Sequence, residues 1–430
     1  MNITIGAART SSVRTVIQEH SKMRKQILTT AAILISCAAA TGAAAVDIGA
    51  DTRVGGQIFF DVSHISLQNE NSSGARIDAA PTGTGFDVKR FYLSIDHRFN
   101  DVWSADLTTD AQFSTASTAT VTTSTGNTTV LTNQNSSGGV SEVFIKKLYL
   151  EGKFDRAFVV HIGSYDMPWD RFVESLYGYR YIEKTTTDRL GFSNTTDWGL
   201  NASGSLGDGD LVTYAASVVN GAGYKNPTHT KDVDFEGRIG VKPVDWLTLG
   251  AGFYSGHLAQ INASNENFPS NTATRLDFVA GVNYAGFRVG AEYFDAKNYK
   301  TVKDAASAAF GTSAIVTASG AVPVSDKADG FSGWASYAFD AQWSVFGRYD
   351  EAKLSKDVAP DLKDKYLNIG LAYKPIKALD FALVYKNEKV NNGSTSISGA
   401  DANGSYAIGG ANGTRNGTFD ELGLYAQWVF

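Results

Sequence analysis

From residue 53 to the C-terminus the sequence repeats one pattern, in which about ten residues alternate between apolar and polar before a turn or loop. In 274–285, Leu276 and Phe278 share one face of a strand, whereas Arg275 and Asp277 share the other. Because successive side chains of a strand point to opposite faces, the pattern predicts strands that are apolar on one face only. We predict sixteen strands, at 53–67, 86–99, 102–113, 142–154, 157–164, 195–206, 211–220, 232–242, 246–257, 274–285, 287–297, 329–339, 342–354, 364–374, 379–390 and 417–430.

The connections between these strands differ in length at the two ends of the predicted sheet. Even-numbered strands are followed by short turns such as Asn100-Asp101 and Asp340-Ala341, and odd-numbered strands by longer polar loops. An even number of antiparallel strands with this asymmetry is typical of transmembrane β-barrels, which have short periplasmic turns and long extracellular loops. The predicted loops are 68–85, 114–141, 165–194, 221–231, 258–273, 298–328, 355–363 and 391–416.

Two of these loops, 114–141 and 391–416, are rich in Ser, Thr, Asn and Gly. Such segments bury little apolar surface, so we expect external loops that lack order of their own.

Aromatic residues favour a membrane barrel over a soluble β-sandwich. A sandwich also alternates along its strands, but its apolar faces pack together inside. Here several aromatic residues fall beside the predicted short turns, where the aromatic girdle of a membrane barrel lies. No later run approaches the roughly 18 apolar residues that a membrane-spanning helix needs. The residues beside the turns are Trp103, Trp246, Tyr284, Phe287, Phe339, Trp343 and Tyr373.

The first 45 residues predict an export signal. Met23-Arg24-Lys25 is basic, 27–40 is apolar, and Ala43-Ala44-Ala45 offers small residues for cleavage, which are the three parts of a signal peptide. We predict that translation starts at Met23 and that cleavage after Ala45 leaves a single barrel domain, 46–430. An alternative interpretation is a lipoprotein signal in which Cys37 is lipidated.

Composition excludes several classes of function. The predicted leader holds five Lys or Arg residues and one acid, so the mature chain would carry a net charge of −10. An acidic chain without a basic patch argues against nucleic acid as a partner. With one Cys in the chain, a disulfide framework and a Cys-based metal site are both excluded. The histidines show no Ser/His/acid spacing, so we predict no enzyme activity and no cofactor.

The last strand ends in a C-terminal aromatic residue. Leu422, Leu424, Ala426, Trp428 and Phe430 share one face at a period of two. This arrangement resembles the assembly signal of Gram-negative outer-membrane proteins. It implies that Phe430 is recognised by the barrel assembly machinery and that the barrel is surrounded by outer-membrane lipids.

Three segments, 88–113, 143–172 and 180–206, resemble the phosphate-selective porin O and P family. The shared features fall at Arg90, at Asp110, at the Gly163-Ser164-Tyr165-Asp166-Met167-Pro168 step and at Asp197-Trp198-Gly199. The resemblance covers about a third of the mature chain. It implies a 16-stranded porin of the outer membrane, a homotrimer whose third long loop folds into the lumen. Anion-selective members of that family have dense Arg and Lys ladders, whereas the charges here are mixed.

The third loop, 165–194, differs from the other loops because it is rich in aromatic and charged residues. Against the inner wall these residues would form the constriction that sets selectivity. The alternative is an external loop that caps the barrel or seals an interface between subunits. The predicted constriction residues are Asp166, Trp169, Asp170, Arg171, Glu174, Tyr177, Tyr179 and Arg180.

Alternation also assigns charged residues to the inner face of the barrel wall. Opposed acids and bases across a pore create a transverse field that orients dipolar solutes. For each residue the alternative is a charge that is solvated or paired with a neighbouring strand. The predicted pore-lining residues are Arg90, Asp106, Asp110, Lys147, Glu151, His161, Glu236, Arg238, Arg275, Arg288 and Arg348.

The sequence therefore predicts a porin for passive diffusion of small hydrophilic solutes and ions. A channel biased towards phosphate, other anions or sugars is the main alternative, and a barrel enzyme or adhesin is a further one.

Overall fold

A computed structural model describes residues 46–49, 51–71, 73–114, 118–122, 128–132, 140–259, 272–299, 325–398, 405–410 and 415–430. The predicted leader, with Met23, Cys37 and Ala45, lies outside these residues. In the described part of the chain, sixteen barrel strands are numbered here in chain order. They are β1 Thr52–Glu70, β2 Arg76–Arg98, β3 Trp103–Ser114, β4 Val140–Asp155, β5 Phe158–Asp166, β6 Thr196–Leu206, β7 Val212–Val219, β8 Asp234–Val244, β9 Leu247–Gly256, β10 Ala273–Tyr284, β11 Phe287–Lys297, β12 Lys327–Ala338, β13 Trp343–Lys353, β14 Lys363–Ile376, β15 Leu379–Asn391 and β16 Gly417–Val429.

Each barrel strand pairs antiparallel with its neighbours in the chain, and β16 pairs with β1. The register between β1 and β16 runs from Gln57 opposite Val429 to Asn69 opposite Gly417. At the seam, the backbone N–H groups of Gly56 and Phe430 donate to each other's carbonyl at 2.9 and 3.0 Å. The prediction of a closed antiparallel barrel with sixteen strands is confirmed.

The Phe430 ring contacts the outer face of Gly56. A Cβ at residue 56 would collide with Phe430 Cζ and would lie 2.5 Å from the backbone oxygen of Tyr92, so glycine allows the close approach where the C-terminus meets β1.

At one end of the barrel the strands are joined by short polar turns. Several of these turns can be short because a side chain within the turn accepts its backbone N–H groups. Asn100 Oδ1 accepts the N–H groups of Val102 and Trp103, and Asp340 closes the equivalent turn before β13. Between β10 and β11, Ala285 and Gly286 both have positive φ, as a two-residue hairpin turn of the I′ type requires.

The predicted loop 68–85 is wrong. Instead β1 and β2 continue as a long hairpin, with Glu70 opposite Arg76. The side chain of Asn71 accepts the N–H groups of Ser73 and Ala75, so the turn needs only a few residues. Pro81 and the glycines at 83 and 85 lie within this hairpin, where a proline and glycines are tolerated because the hairpin extends beyond the closed sheet.

Several shorter strands lie outside the barrel order. Val46–Gly49 pairs with the start of β1, and Thr118–Thr122 pairs with Thr128–Thr132 within the predicted loop 114–141. Ser394–Ser398 pairs with Ser405–Gly409 within the predicted loop 391–416. The described parts of both loops therefore contain regular structure, contrary to expectation, because residues such as Thr and Val form hairpins readily.

The second of these hairpins packs against the barrel. Ile408 is buried, and the ring of Tyr406 stacks on Phe419 at 5.0 Å. The backbone N–H of Gly409 donates to Asn69 Oδ1 at 2.8 Å, which ties the hairpin to the end of β1.

The outer face of the barrel is apolar. Leu276 and Phe278 are exposed, whereas Arg275 and Asp277 on the same strand are buried inside. Aromatic rings near the short turns contact one another in pairs, for example Trp343 with Tyr373 at 4.5 Å. An exposed apolar band bounded by aromatic residues is the surface that a bilayer requires of a membrane barrel.

The segment 167–195 connects β5 to β6 and contains two helices, α1 Pro168–Tyr177 and α2 Thr186–Arg189. Pro168 occupies the first turn of α1, and Gly178 ends it in the left-handed conformation. We call this segment the inner loop. No helix in the described ranges is long and apolar enough to cross a membrane.

Candidate functional site

The inner loop lies inside the barrel against one part of the wall. Trp169 and Tyr177, on the apolar face of α1, are buried. The backbone N–H of Trp169 donates to Glu236, and its indole N–H donates to Glu292, both at 2.8 Å. Because Glu236 and Glu292 lie on the inner faces of β8 and β11, these bonds fix the start of α1 to that wall.

Glycines form the wall beneath α1. A Cβ at Gly240 would lie 2.9 Å from Phe172 Cζ, and a Cβ at Gly252 would lie 2.5 Å from Trp169 Cε3. Gly250 of β9 lies directly opposite Gly240, and a Cβ there would also collide with Phe172. Atoms do not approach a Cβ so closely, so glycine is needed for the helix to reach the sheet. We call Gly240, Gly250 and Gly252 the glycine floor.

Arg189 fixes α2 to a different part of the wall. Its side chain is 0% exposed, and its guanidinium donates to Glu388 at 2.5 Å and to Asp364 at 2.6 Å. A third carboxylate, Asp350, lies 3.4 Å away. These acids belong to β13, β14 and β15. Charge-assisted hydrogen bonds to β14 and β15, together with the ion pair to β13, leave this part of the inner loop little freedom.

Arginines of the wall bind backbone carbonyls of the inner loop. Arg275 donates to the carbonyl of Phe192, and Arg348 donates to the carbonyl of Lys184. On β8, Arg238 Nε donates to a carbonyl at the start of α1 at 3.0 Å. These side chains face the barrel interior, as alternation predicts. Arg275 and Arg348 are buried and hold the loop in place, whereas Arg238 is half-buried and also lines a cavity of about 350 Å³ beneath α1.

Asp170 organises the inner loop from within. Its carboxyl group is buried and accepts the hydroxyl groups of Thr185, Thr187 and Ser193 at 3.2, 3.1 and 2.6 Å. Burial, followed by the charge of Asp188, raises the pKa of Asp170 well above its usual range. The hydrogen bonds join α1 to both sides of α2, so the loop has a defined shape of its own.

A cavity of about 500 Å³ lies between the inner loop and the opposite wall, which is formed by β1 to β4. We call it the open cavity. Among its charged lining residues, basic side chains outnumber acidic ones by five to three. These residues are Arg53, Asp96, Lys146, Lys147, Asp166, Arg171, Glu174 and Arg180.

The charges on the loop side of the open cavity are paired with one another. Glu174 accepts hydrogen bonds from Arg171 at 3.0 Å and from Arg180 at 2.7 Å. Asp166 pairs with Lys147 of the wall, and Arg171 Nε lies 3.3 Å from the same carboxylate. Asp188 lies 3.8 Å from Arg180 and 3.5 Å from Lys184. With Asp188 included, three acids pair with four bases, so one positive charge remains in excess on this side of the cavity.

Lys146 presents its charge to the open cavity without an acidic partner. Its ammonium group donates to Tyr92 OH at 3.2 Å and lies 4.5 Å from the centre of that ring. Among the residues that the structure describes, no carboxylate lies within 4.0 Å of its Nζ. Cation–π contact lowers the cost of holding the charge there but does not cancel its field.

Two β-bulges explain how adjacent basic residues both face inward. The pairing of β2 with β1 skips Lys89, and the pairing of β4 with β3 skips Lys146. Strict alternation would direct both residues towards lipid, because Arg90 and Lys147 already occupy the inward positions. Instead Lys89 is buried, 3.5 Å from Asp61. Lys89 and Lys146 are therefore inward-facing residues that strict alternation does not predict, although two adjacent basic residues in an alternating strand are a signal of a bulge.

A second cavity, of about 330 Å³, adjoins the open cavity on the side of the short turns and shares Arg53 and Asp96 with it. Its lining is acidic: Asp106 lies directly opposite Asp96, and Glu151 accepts a hydrogen bond from His161 at 2.9 Å. Along this wall the lining therefore changes from mainly basic in the open cavity to mainly acidic in the second cavity.

The predicted wall residues thus divide into two groups. Those on β2 to β5 lie on the side of the open and second cavities, whereas those on β8 to β13 lie on the side covered by the inner loop. The first group is Arg90, Asp106, Asp110, Lys147, Glu151 and His161, and the second is Glu236, Arg238, Arg275, Arg288 and Arg348.

The predicted residues of the inner loop divide in the same way. Trp169, Asp170 and Tyr177 are buried towards the wall, and Tyr179 stacks on Phe346 at 4.2 Å. Asp166, Arg171, Glu174 and Arg180 line the open cavity.

Within the described ranges, no group of three His, Cys, Asp or Glu side chains is arranged to hold a metal ion.

Comparison with known proteins finds similarity in structure but not in sequence. No family model matches the chain, and no curated protein matches it. An anion-selective porin from Comamonas acidovorans superposes with a TM-score of 0.56 at 12% identity, over 88% of this chain and 99% of that one.

Two further structures superpose over similar lengths. The outer membrane channel DcaP of Acinetobacter baumannii gives a TM-score of 0.52 at 12% identity, over 91% of this chain and 100% of that one. OmpF of Salmonella typhi, in complex with daunomycin, gives a TM-score of 0.52 at 10% identity, over 90% of this chain and 100% of that one. At these identities the similarity establishes the fold. A closed 16-stranded barrel with an apolar outer band is an outer-membrane architecture, and it locates this chain in that membrane as a multi-pass barrel.

Proposed function

We propose that this protein is a porin through which small hydrophilic solutes and ions diffuse passively. One observation carries the proposal: the inner loop covers one side of the barrel interior, while the other side keeps a charged cavity of about 500 Å³. A loop that only capped the barrel would have no reason to be fixed to the wall by Arg189 and Trp169. Fixed in this way, it narrows the lumen and leaves a polar passage beside it.

The charged constriction would lie where the open cavity is bordered by the inner loop and by β4. Lys146 and Lys147 are on the wall side, and Arg171, Glu174 and Arg180 are on the loop side. Paired and unpaired charges on facing surfaces orient dipolar solutes and disfavour apolar ones. In this proposal, the residues beneath the inner loop position it, and those along the passage act on the solute.

A bias towards anions is the second candidate, because the lining of the open cavity has five basic and three acidic residues. Selectivity depends on the charges at the narrowest point, so a net charge of −10 on the mature chain does not oppose it. The resemblance of 88–113, 143–172 and 180–206 to the phosphate-selective porin O and P family also supports this candidate. Phosphate, other small anions and acidic sugars share the required charge.

Further proposals concern assembly and chemistry. We infer a homotrimer from the family resemblance, and cross-linking in native membranes tests it. We also infer, from the alternating apolar pattern of the last strand, that the barrel assembly machinery recognises Phe430. Catalysis forms no part of the proposed function, since His161 is engaged by Glu151 and by stacking on Tyr165 at 3.5 Å.

Conductance across a planar bilayer tests the channel proposal directly. Purified, folded protein should insert and give stepwise ion currents, and swelling of liposomes in neutral sugars of increasing size should show a size limit. The reversal potential in a salt gradient then reports the preference for anions. Complete absence of current from protein that is shown to be folded would exclude a pore, whereas current without anion preference would exclude only the second candidate.

A further inference from the structure

The outer face of the barrel carries lysines that lie directly opposite other lysines. In the pairing of β13 with β14, Lys353 is opposite Lys363, and in the pairing of β14 with β15, Lys365 is opposite Lys389. Since side chains alternate, Lys363 and Lys365 lie on the same face, so the four form one group. We call Lys353, Lys363, Lys365 and Lys389 the outer lysine cluster.

Opposed like charges are destabilising in a sheet unless another group neutralises them. Of the four lysines, Lys365 lies 3.6 Å from Glu351. For Lys353, Lys363 and Lys389, no carboxylate in the described part of the chain comes within 4.0 Å of the ammonium group. Asp329 lies directly opposite Lys353 in the pairing of β12 with β13, but Lys356 Nζ lies 2.5 Å from its carboxylate. The cluster therefore has more positive charge than the described residues compensate.

A third pair of the same kind lies further round the barrel. Lys297 of β11 is directly opposite Lys327 of β12, and both side chains are exposed. Acids nearby are already engaged, since Lys356 Nζ lies 2.5 Å from Asp329 and 3.9 Å from Asp295. The excess of positive charge thus extends over five adjacent strands.

The position of the cluster along the strands indicates its surroundings. It lies at the end with long loops, and exposed tyrosines on the same outer face, Tyr349 and Tyr385, are closer to the middle of the barrel. Tyrosine rings mark the level where acyl chains give way to headgroups. Lysines just beyond them are therefore at the level of the headgroups of the outer leaflet.

We propose that the outer lysine cluster binds phosphate groups of acidic lipid headgroups in the outer leaflet. Phosphate between opposed ammonium groups would remove the repulsion that the bare protein retains. The geometry suits a headgroup with more than one phosphate, because two lysine pairs are adjacent on one surface. This inference concerns the surface around the barrel and does not depend on what passes through it.

The test compares lipid binding by two variants that remove the same charge. Lys363→Gln with Lys389→Gln takes one lysine from each opposed pair, and Lys153→Gln with Lys377→Gln removes two exposed lysines at the short-turn end. The probe is an acylated disaccharide carrying two phosphates, titrated into detergent-solubilised protein and followed by native mass spectrometry. Its dephosphorylated form and inorganic phosphate are run in parallel.

We expect the first variant to bind the diphosphorylated lipid about 30-fold more weakly than the unmodified protein, and the second to bind it normally. Without lipid, the first variant should be at least as stable to heat as the unmodified protein, because repulsion has been removed. Equal binding by both variants would overturn the proposal. So would equal binding of the dephosphorylated lipid, which indicates contact through acyl chains, or occupancy by inorganic phosphate alone, which indicates an anion site unrelated to lipid.

Discussion

Replacing Arg189 by methionine should release the tip of the inner loop. Methionine keeps much of the apolar stem but removes the guanidinium, so Asp364 and Glu388 would remain buried without the only cation near them in the described structure. Asp350 would keep Arg348 at 2.6 Å. Removing one partner of a buried ion pair costs about 3–5 kcal/mol.

If this cost destabilises the state in which α2 is bound to the wall, the population with a detached inner loop should rise by about 150- to 4,000-fold. Single-channel recordings in a planar bilayer would show this as frequent transitions to a higher conductance, because a detached loop no longer narrows the passage. Global stability should change less, since the strands that form the barrel keep all their hydrogen bonds with one another.

Two further variants make the reasoning testable. Arg76→Met removes an exposed arginine from the β1–β2 hairpin and should leave the recordings unchanged. Adding Asp364→Asn and Glu388→Gln to Arg189→Met should suppress the transitions, because neutral partners no longer repel one another. Recordings of Arg189→Met with the same noise and conductance as the unmodified protein would refute the role of Arg189 as an anchor.

Three other predictions concern the loop, its charge and its titration. Gly252→Val places a side chain where Trp169 lies, which should cost about 1–3 kcal/mol of stability, push α1 towards the open cavity and lower the ion conductance. Lys146→Glu makes acidic and basic residues equal in number in the cavity lining, so the reversal potential in a salt gradient should move towards cation preference. Burial lowers the pKa of Lys184 to about 8, so between about pH 8 and 10 the unfolded chain binds the proton that the folded chain releases. The free energy of unfolding in detergent should therefore rise with pH across that range, and Lys184→Gln should remove this rise.

Each of these predictions has its own control or contrary result. Gly347→Val adds a side chain on the outer wall, where a Cβ meets neighbours at an ordinary 3.5 Å, and should leave the conductance unchanged. An unaltered reversal potential for Lys146→Glu would mean that this residue is not at the narrowest point. For Lys184, the same pH dependence with and without the substitution would assign the titration to another group.

The barrel could be predicted from sequence because its determinants are local. Residues two apart in a strand share a face, and short turns such as Asn100-Asp101 close themselves through one side chain. The β1–β2 hairpin was not predicted because its strands extend beyond the closed sheet. Pro81 lies in this extension, outside the pairing of β2 with β3, so its missing N–H does not interrupt the barrel. The helix α1 left readable signals, since Pro168 and Gly178 stand at the positions that start and end a helix.

The inner site was predicted less completely because it depends on contacts across the barrel. Alternation assigned Arg275 and Arg348 to the interior, but it does not tell which part of the wall a loop will cover. That choice is made by the glycine floor and by Arg189, whose partners lie 175 and 199 residues away along the chain. Lys89 and Lys146 were missed because a bulge breaks the period on which the prediction rests.

The seam between the first and last strands has a consequence for biosynthesis. Gln57 donates a hydrogen bond to Gln427 across 370 residues, so β1 has no partner on that side until the end of the chain has been made. An edge strand that waits this long is a template for pairing with other chains. During export another molecule must therefore cover this edge of β1. The edge needs this protection until the last strand, β16, pairs with it.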